Sequence, residues 1–222
     1  MKKIVSLAFT LMLGCFMLTG CSDKAEPFTQ KEYTADPGEI TGINIDVRDR
    51  QIQVSLSQDD QIRISYYENS KEAYDIGVSD GNILTMTSAD NKEWTDYIGG
   101  KPSDENRKIK LLIPDALLDT LTLSTTNEDI SLPSLTVSGS ISLSSNGGNI
   151  DFESLGVGSD LTLNVKNGNI SGAVAGSYEE FAIWSESKKG ESNLPGNKDT
   201  GEKTLNVTSN NGDVNIDFTG AD

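Results

Sequence analysis

From Leu121 onward the chain repeats itself every twenty residues, and few folds tolerate so strict a register. Leu121, Ile141, Leu161 and Phe181 share one phase. Leu123, Leu143, Leu163 and Ile183 share a second, two residues on, and Ile130, Ile150 and Ile170 share a third. The period matches one coil of a β-solenoid, in which each turn stacks its strands on the last. The expected fold is all-β: a parallel β-solenoid, or β-helix-like stack, of coils of about 20 residues. Leu143 and Ile150 should then point inward onto their equivalents one coil away. An antiparallel sandwich of hairpins would also place Asn-Gly turns between apolar pairs. A meander, however, has no reason to hold four positions in step.

The arithmetic inside each coil repeats as well. Leu121 and Leu123 precede Ile130 and Leu132 by nine residues; Ile141 and Leu143 precede Ile150 and Phe152 by the same step. Leu205 and Val207 stand in that relation to Val214 and Ile216, and Ile43 and Ile45 to Ile52 and Val54. Between the pairs lie Asn127-Glu128-Asp129, Asn146-Gly147-Gly148-Asn149, Asn167-Gly168-Asn169 and Asn210-Asn211-Gly212-Asp213. Asn and Gly tolerate positive φ, and Asx side chains close turns on their own backbone. The step from Phe181 to Leu205 is 24 residues. Four extra residues are therefore expected as a protruding loop within 185–203. Earlier in the chain, period-two apolar residues read as half-buried strands, with Ile83 in that series and Leu84 and Met86 out of phase. The segment 87–108 reads as a long loop holding Trp94 and Tyr97.

The N-terminus reads as an address. Met1-Lys2-Lys3 is a short basic region and 4–18 an apolar one, too short for a stable membrane span. Leu18-Thr19-Gly20-Cys21 then resembles the lipobox of bacterial lipoproteins, in which the Cys is diacylated and becomes the first mature residue. The expected organisation is a lipoprotein signal peptide over 1–20, a polar tether over 21–38 and one solenoid-like domain over 39–222. Lipidated Cys21 would fix the protein to the bacterial cell membrane, outside the cytoplasm, or to an outer membrane if the cell has two. Two acyl chains hold stably where one binds marginally.

Composition removes several chemistries. The formal net charge is −16, so nucleic acid is excluded as a partner on electrostatic grounds. There is no His, and Cys15 and Cys21 belong to the signal segment and the lipid site. The mature domain thus lacks a disulfide, a thiol nucleophile and any imidazole base. No cofactor or metal is called for. The Asx-rich turns have calcium-type donors but not a calcium-roll repeat, and turn chemistry explains them. Asp59-Asp60 and Glu179-Glu180 could be imagined as glycosidase acids, yet adjacent strand residues point to opposite faces. A β-helix enzyme acting on polysaccharide is the alternative to a non-enzymatic binding or scaffold role. A sensor or accessory role in envelope stress is a third.

Three segments resemble a known family. Ile109-Lys110-Leu111-Leu112-Ile113-Pro114, Leu121-Thr122-Leu123-Ser124 and the closing 205–216 stretch are similar to the bacterial "putative adhesin" family of β-strand-repeat proteins, a domain of unknown function. The resemblance covers Ile40 to Phe218 and implies a repetitive β protein at the cell surface. Its motifs are strands and turns, not catalytic signatures. Aromatic residues are the remaining binding clue. Trp184 follows the inward Ile183 and should face outward, at the phase of Ser124, Ser144 and Asn164, unless the 185–203 loop covers it. Trp184, Trp94 and Tyr97 are the candidate contacts for an envelope glycan or a surface protein.

Overall fold

A computed structural model describes residues 26–59, 61–91, 101–114 and 118–220. Two nine-stranded sheets face each other across one core. The first runs, in spatial order, β1 (Thr29–Ala35), β4 (Ile62–Glu68), β7 (Lys108–Ile113), β3 (Gln51–Leu56), β9 (Ile130–Leu132), β12 (Ile150–Gly156), β14 (Ile170–Val174) and β18 (Val214–Phe218). The short β10 (Leu135–Thr136) pairs beside β12. The second runs β16 (Asn197–Lys198), β15 (Phe181–Ser187), β17 (Lys203–Ser209), β13 (Asp160–Val165), β11 (Ser140–Ser145), β8 (Thr120–Thr125), β2 (Gly42–Asp46), β6 (Ile83–Ser88) and β5 (Tyr74–Val78).

Period-two sequence makes these strands two-faced. Ile109, Ile52, Ile130, Ile150, Ile170 and Val214 form one inward column of the first sheet, paired in register strand to strand. Leu84, Ile43, Leu121, Ile141, Leu161, Leu205 and Ile183 form the opposing column of the second. All of these side chains are buried. Each fully buried aliphatic side chain contributes about 1.5–3 kcal/mol, so these columns dominate stability.

The sheets are mixed, which corrects the expectation of a wholly parallel stack. Pairing is parallel through the middle, from β7 to β18 in the first sheet and from β6 to β15 in the second. It turns antiparallel at the ends, where β1–β4, β4–β7, β5–β6 and β15–β16 pair. Both ends are also out of chain order. β2 and β3 are flanked by the later β6 and β7 on one side and by β8 and β9 on the other. At the far end β17 inserts between β13 and β15. The Phe181 strand therefore does not stack on the Leu161 strand. Leu161 lies against Leu205, Leu205 against Ile183, and Phe181 against Lys203. The supposed four-residue excess is a fold-back.

Three other expectations change. Thr29–Ala35, inside the segment read as tether, is a strand antiparallel to β4; only Tyr33 and Ala35 pack on the core, so its apolar period is faint. Leu84 and Met86 are buried and in register with Ile43 and Ile45, whereas Ile83 is only half-buried. β6 reaches Ser88 and β7 begins at Lys108, which shortens the expected long loop at both ends.

The turn glycines are not left-handed. Among the described residues positive φ occurs at Asp49, Asn82, Gly172, Gly176 and Gly201, not at Gly148, Gly168 or Gly212. Their requirement is close approach. A Cβ on Gly168 would collide with the Gly148 carbonyl below it, and one on Gly212 with the Gly168 carbonyl. Asx side chains then fasten each turn to the next. Asn149 N–H donates to Asp129 Oδ1 at 2.7 Å, Asn169 N–H to Asn149 Oδ1 at 2.9 Å, and Asp213 N–H to Asn169 Oδ1 at 2.9 Å. Glu191 N–H closes the series on Asp213 Oδ1 at 2.9 Å.

The segment between β15 and β17 seals the far end of the stack. Ser192 bridges Val214, and Leu194 is buried against the core. Asn193 imitates a paired strand: its Nδ2 donates to Ile216 O at 2.9 Å while its Oδ1 accepts from Ile216 N–H at 3.0 Å. This side chain occupies the open edge of β18, which would otherwise offer itself to another chain.

Two outcomes follow. Gly168→Ala should force adjacent turns apart and cost about 1–3 kcal/mol, read as a lower melting temperature. Asn193→Ala should cost about 1–2 kcal/mol, a fall of a few degrees, and raise the dimer fraction in size-exclusion chromatography.

Candidate binding face

The outer face of the second sheet is built by the alternate residues of the strands that bury Leu121 and its equivalents. One row crosses it in register: Trp184, Asn206, Thr162, Ser142, Thr122 and Asn44. Trp184 thus shares a row with Asn206 and Thr162, not with Asn164 as the twenty-residue count suggested; the fold-back shifts its phase by two. It does face outward and is 46% exposed. The loop does not lie over it. β16 pairs alongside, with Asn197 opposite Trp184.

This face has unused hydrogen-bonding capacity. The side chains of Asn206, Thr162, Ser142, Thr122 and Asn44 have no partner among the described residues. Asn197 Nδ2 donates to Asp199 Oδ1 at 2.7 Å. The neighbouring positions Glu186, Thr208, Asn164, Ser144, Ser124 and Asp46 add carboxylates at both ends and no cation.

Of the acids considered for catalysis, Asp60 lies outside the described residues, and the others are already committed. Glu180 accepts from Lys203 Nζ at 2.9 Å and from Ser177 N–H at 2.9 Å, which holds its carboxyl below the usual range. Glu179 pairs with Lys198. They line an open groove of about 530 Å³ with Ser177, Gly201, Glu202 and Lys203. A depressed carboxyl is a poor general acid near neutral pH. Asp59 is held at about 2 by Arg63 and Ser57. In the turn read for calcium, Asp129 supports Asn149, while Glu128 receives Arg107 and Lys101. Among the described residues no group of three or more acidic, Cys or His side chains could hold a metal ion.

One buried ionic cluster has a structural role. Arg50, 3% exposed, pairs with Glu72 and donates to the Tyr74 hydroxyl. Burial pushes the Tyr74 phenol up, and that of neighbouring Tyr66 up to about 12. Among the described residues no buried side-chain polar atom lacks a partner. Removing one member of such a pair leaves an uncompensated buried charge, so it specifies packing more than it supports chemistry.

Cys21, Trp94 and Tyr97 lie outside the described residues. Asn197, Asn206 and Asn193 were not singled out from sequence. Asn206-Val207-Thr208 carried a weak signal as a polar-apolar-polar triplet, but its place beside Trp184 depends on the fold-back.

An all-β, solenoid-like domain with an uncovered polar face and a row of in-register turns defines the class. The Toastrack DUF4097 model matches residues 40–220, and the chain belongs to that family. No curated protein matches the sequence. Similar solved structures include a "putative cell adhesion protein" from Clostridium sporogenes, 14% identical with a TM-score of 0.49, the match covering 87% of this chain and 100% of that one. A "putative adhesin" from Bacteroides fragilis is 14% identical, TM-score 0.38, with 87% and 98% covered. Another from Parabacteroides merdae is 19% identical, TM-score 0.37, with 87% and 78% covered. At these values the likenesses carry no argument about what this chain binds.

Trp184→Ala should lower stability by about 1 kcal/mol or less, because the ring is uncovered. A buried aromatic would cost about 3–5 kcal/mol, so a thermal melt distinguishes the two.

Proposed function

We propose that the chain is a bacterial envelope lipoprotein whose domain is a non-enzymatic binding module held outside the cytoplasmic membrane. Residues 1–20 serve as the signal peptide, Cys21 carries the lipid, and 21–28 is the link to β1. The parallel middle of the domain is a β-solenoid of about 20-residue coils that displays one flat face. The observation that carries the reading is Trp184: a large aromatic, 46% exposed, in a row where the side chains of Asn206, Thr162, Ser142, Thr122 and Asn44 are unpartnered among the described residues. Exposed aromatics of this kind serve as anchors for partners. The committed state of Glu180 and Asp59 disfavours acid-base catalysis.

Two measurements test it. Cys21→Ala should abolish palmitate labelling and move the protein from the membrane fraction to the soluble one; unchanged partition would sink the anchoring. Full-length protein in detergent micelles should retain isolated cell-envelope material, and Trp184→Ala should weaken that retention. Equal retention by both would reject the binding face.

A further inference from the structure

The geometry of β15 and its two neighbours points to a saccharide subsite at Trp184, and we propose that its ligand is an uncharged pyranose chain laid across the strands. This rests on the binding reading above and gives it a substrate class.

Asn197 opposes Trp184 on one side and Asn206 on the other, in register across three adjacent strands. Directly opposed residues project from the same face with Cβ atoms about 4.5–5.5 Å apart. An indole between two amides is a sugar-binding set. The ring offers a flat apolar face to the C–H groups of a pyranose, and the amides meet the hydroxyl or acetamido groups at its rim. The Asn197 bond to Asp199 fixes that amide and leaves Oδ1 as the acceptor for a ligand O–H or N–H. Asn206 has no partner among the described residues, so it keeps both donor and acceptor.

Charge selects among polymers. Glu186 lies two residues along β15, and Asp199 stands beside Asn197. The row itself is uncharged, and its two flanking positions add no Lys or Arg. An anionic polymer bearing uronate or phosphate would meet the carboxylates of Glu186 and Asp199 first, the next exposed cation along the chain, Lys188, standing four residues from Trp184. A peptide cannot bind here by strand addition, because β15 is already paired on both sides, to β16 and to β17. A neutral polyhydroxylated chain meets neither obstacle. Beyond Asn206, Thr162 and Ser142 present one free polar group per strand at a spacing of about 4.8 Å. A chain running across the strands meets a new hydrogen-bonding group at each step.

The test uses full-length protein in detergent micelles with three soluble probes: an N-acetylglucosamine hexamer, the neutral β-glucan laminarin, and anionic polygalacturonate. Tryptophan emission should shift on adding at least one neutral glycan and not on adding polygalacturonate. Trp184→Ala should abolish the shift. Asn206→Ala should weaken binding at least tenfold, and Trp184→Phe should retain part of it. Thermal melts matching the wild type would show that these variants fold. Stronger binding of polygalacturonate than of either neutral glycan would overturn the proposal. So would envelope retention that depends on Trp184 but is protease-sensitive and uncompeted by neutral glycans; the binding reading would then stand with a protein partner. Retention indifferent to Trp184 would remove both.

Discussion

The hydrogen bond from each turn's backbone to the Asx side chain of the turn beside it sets the register on which the rest depends. Its order is 129, 149, 169, 213, 191, which is spatial and not sequential. A one-residue slip in any strand would exchange its inward and outward residues. The ladder opposes this at the corner where all the coils converge. Backbone bonds reinforce it: Ile130, Ile150 and Ile170 N–H donate to the carbonyls of Asn149, Asn169 and Asp213, each at 2.9 Å. Glycine at 168 and 212 lets those carbonyls approach. Buried hydroxyls complete the corner, as where Ser145 Oγ donates to Glu128 O at 3.0 Å and accepts from Gly148 N–H at 2.9 Å. The same register that stacks Ile over Ile inside the core must align Trp184, Asn206, Thr162 and Ser142 outside it. Core packing and the presentation of the face are therefore one property of the sequence.

Much of this was legible because parallel pairing repeats the environment of each residue. A Leu at 121 and a Leu at 161 meet the same surroundings, so composition repeats with position, and the inward columns can be read from spacing alone. The spacing fails where pairing ceases to follow chain order. β17 enters between β13 and β15, and nothing in the local pattern of 203–209 distinguishes stacking on 160–165 from stacking on 181–187. That choice lies in the segment before it. Gly201 takes a left-handed φ of +148 where the chain folds back, and its close packing on Phe181 and Ala182 admits no side chain. Lys198 Nζ donates to Phe181 O at 2.9 Å and tethers the returning chain. These are single contacts without a period, so sequence periodicity is blind to them.

The face shows the same division. That Trp184 points outward follows from alternation about Ile183. Which residues stand beside it does not, because cross-strand neighbours depend on strand order. Asn197 and Asn206 are remote from the solenoid count, yet they give Trp184 a chemical context. The Arg50–Glu72–Tyr74 cluster was equally hidden. Arg50 takes the turn position that Glu128 fills in the neighbouring coil, and its partners come from a hairpin outside the repeat.

The two ends of the stack solve the exposed-edge problem differently, and the difference bears on function. At the far end the chain supplies its own closure: Ser192 and Asn193 on β18, and β16 on β15. At the other end β1 and β5 are the outermost strands, antiparallel additions to a parallel body. β1 carries Lys31 and Glu32, charges that discourage strand addition. β1 also lies nearest in sequence to Cys21, whereas Trp184 and its amides lie at the closed end. A stack closed by its own chain at the far end and charged along β1 at the other leaves its broad faces uncovered. The uncharged row of the second sheet is the one that ends in an exposed indole.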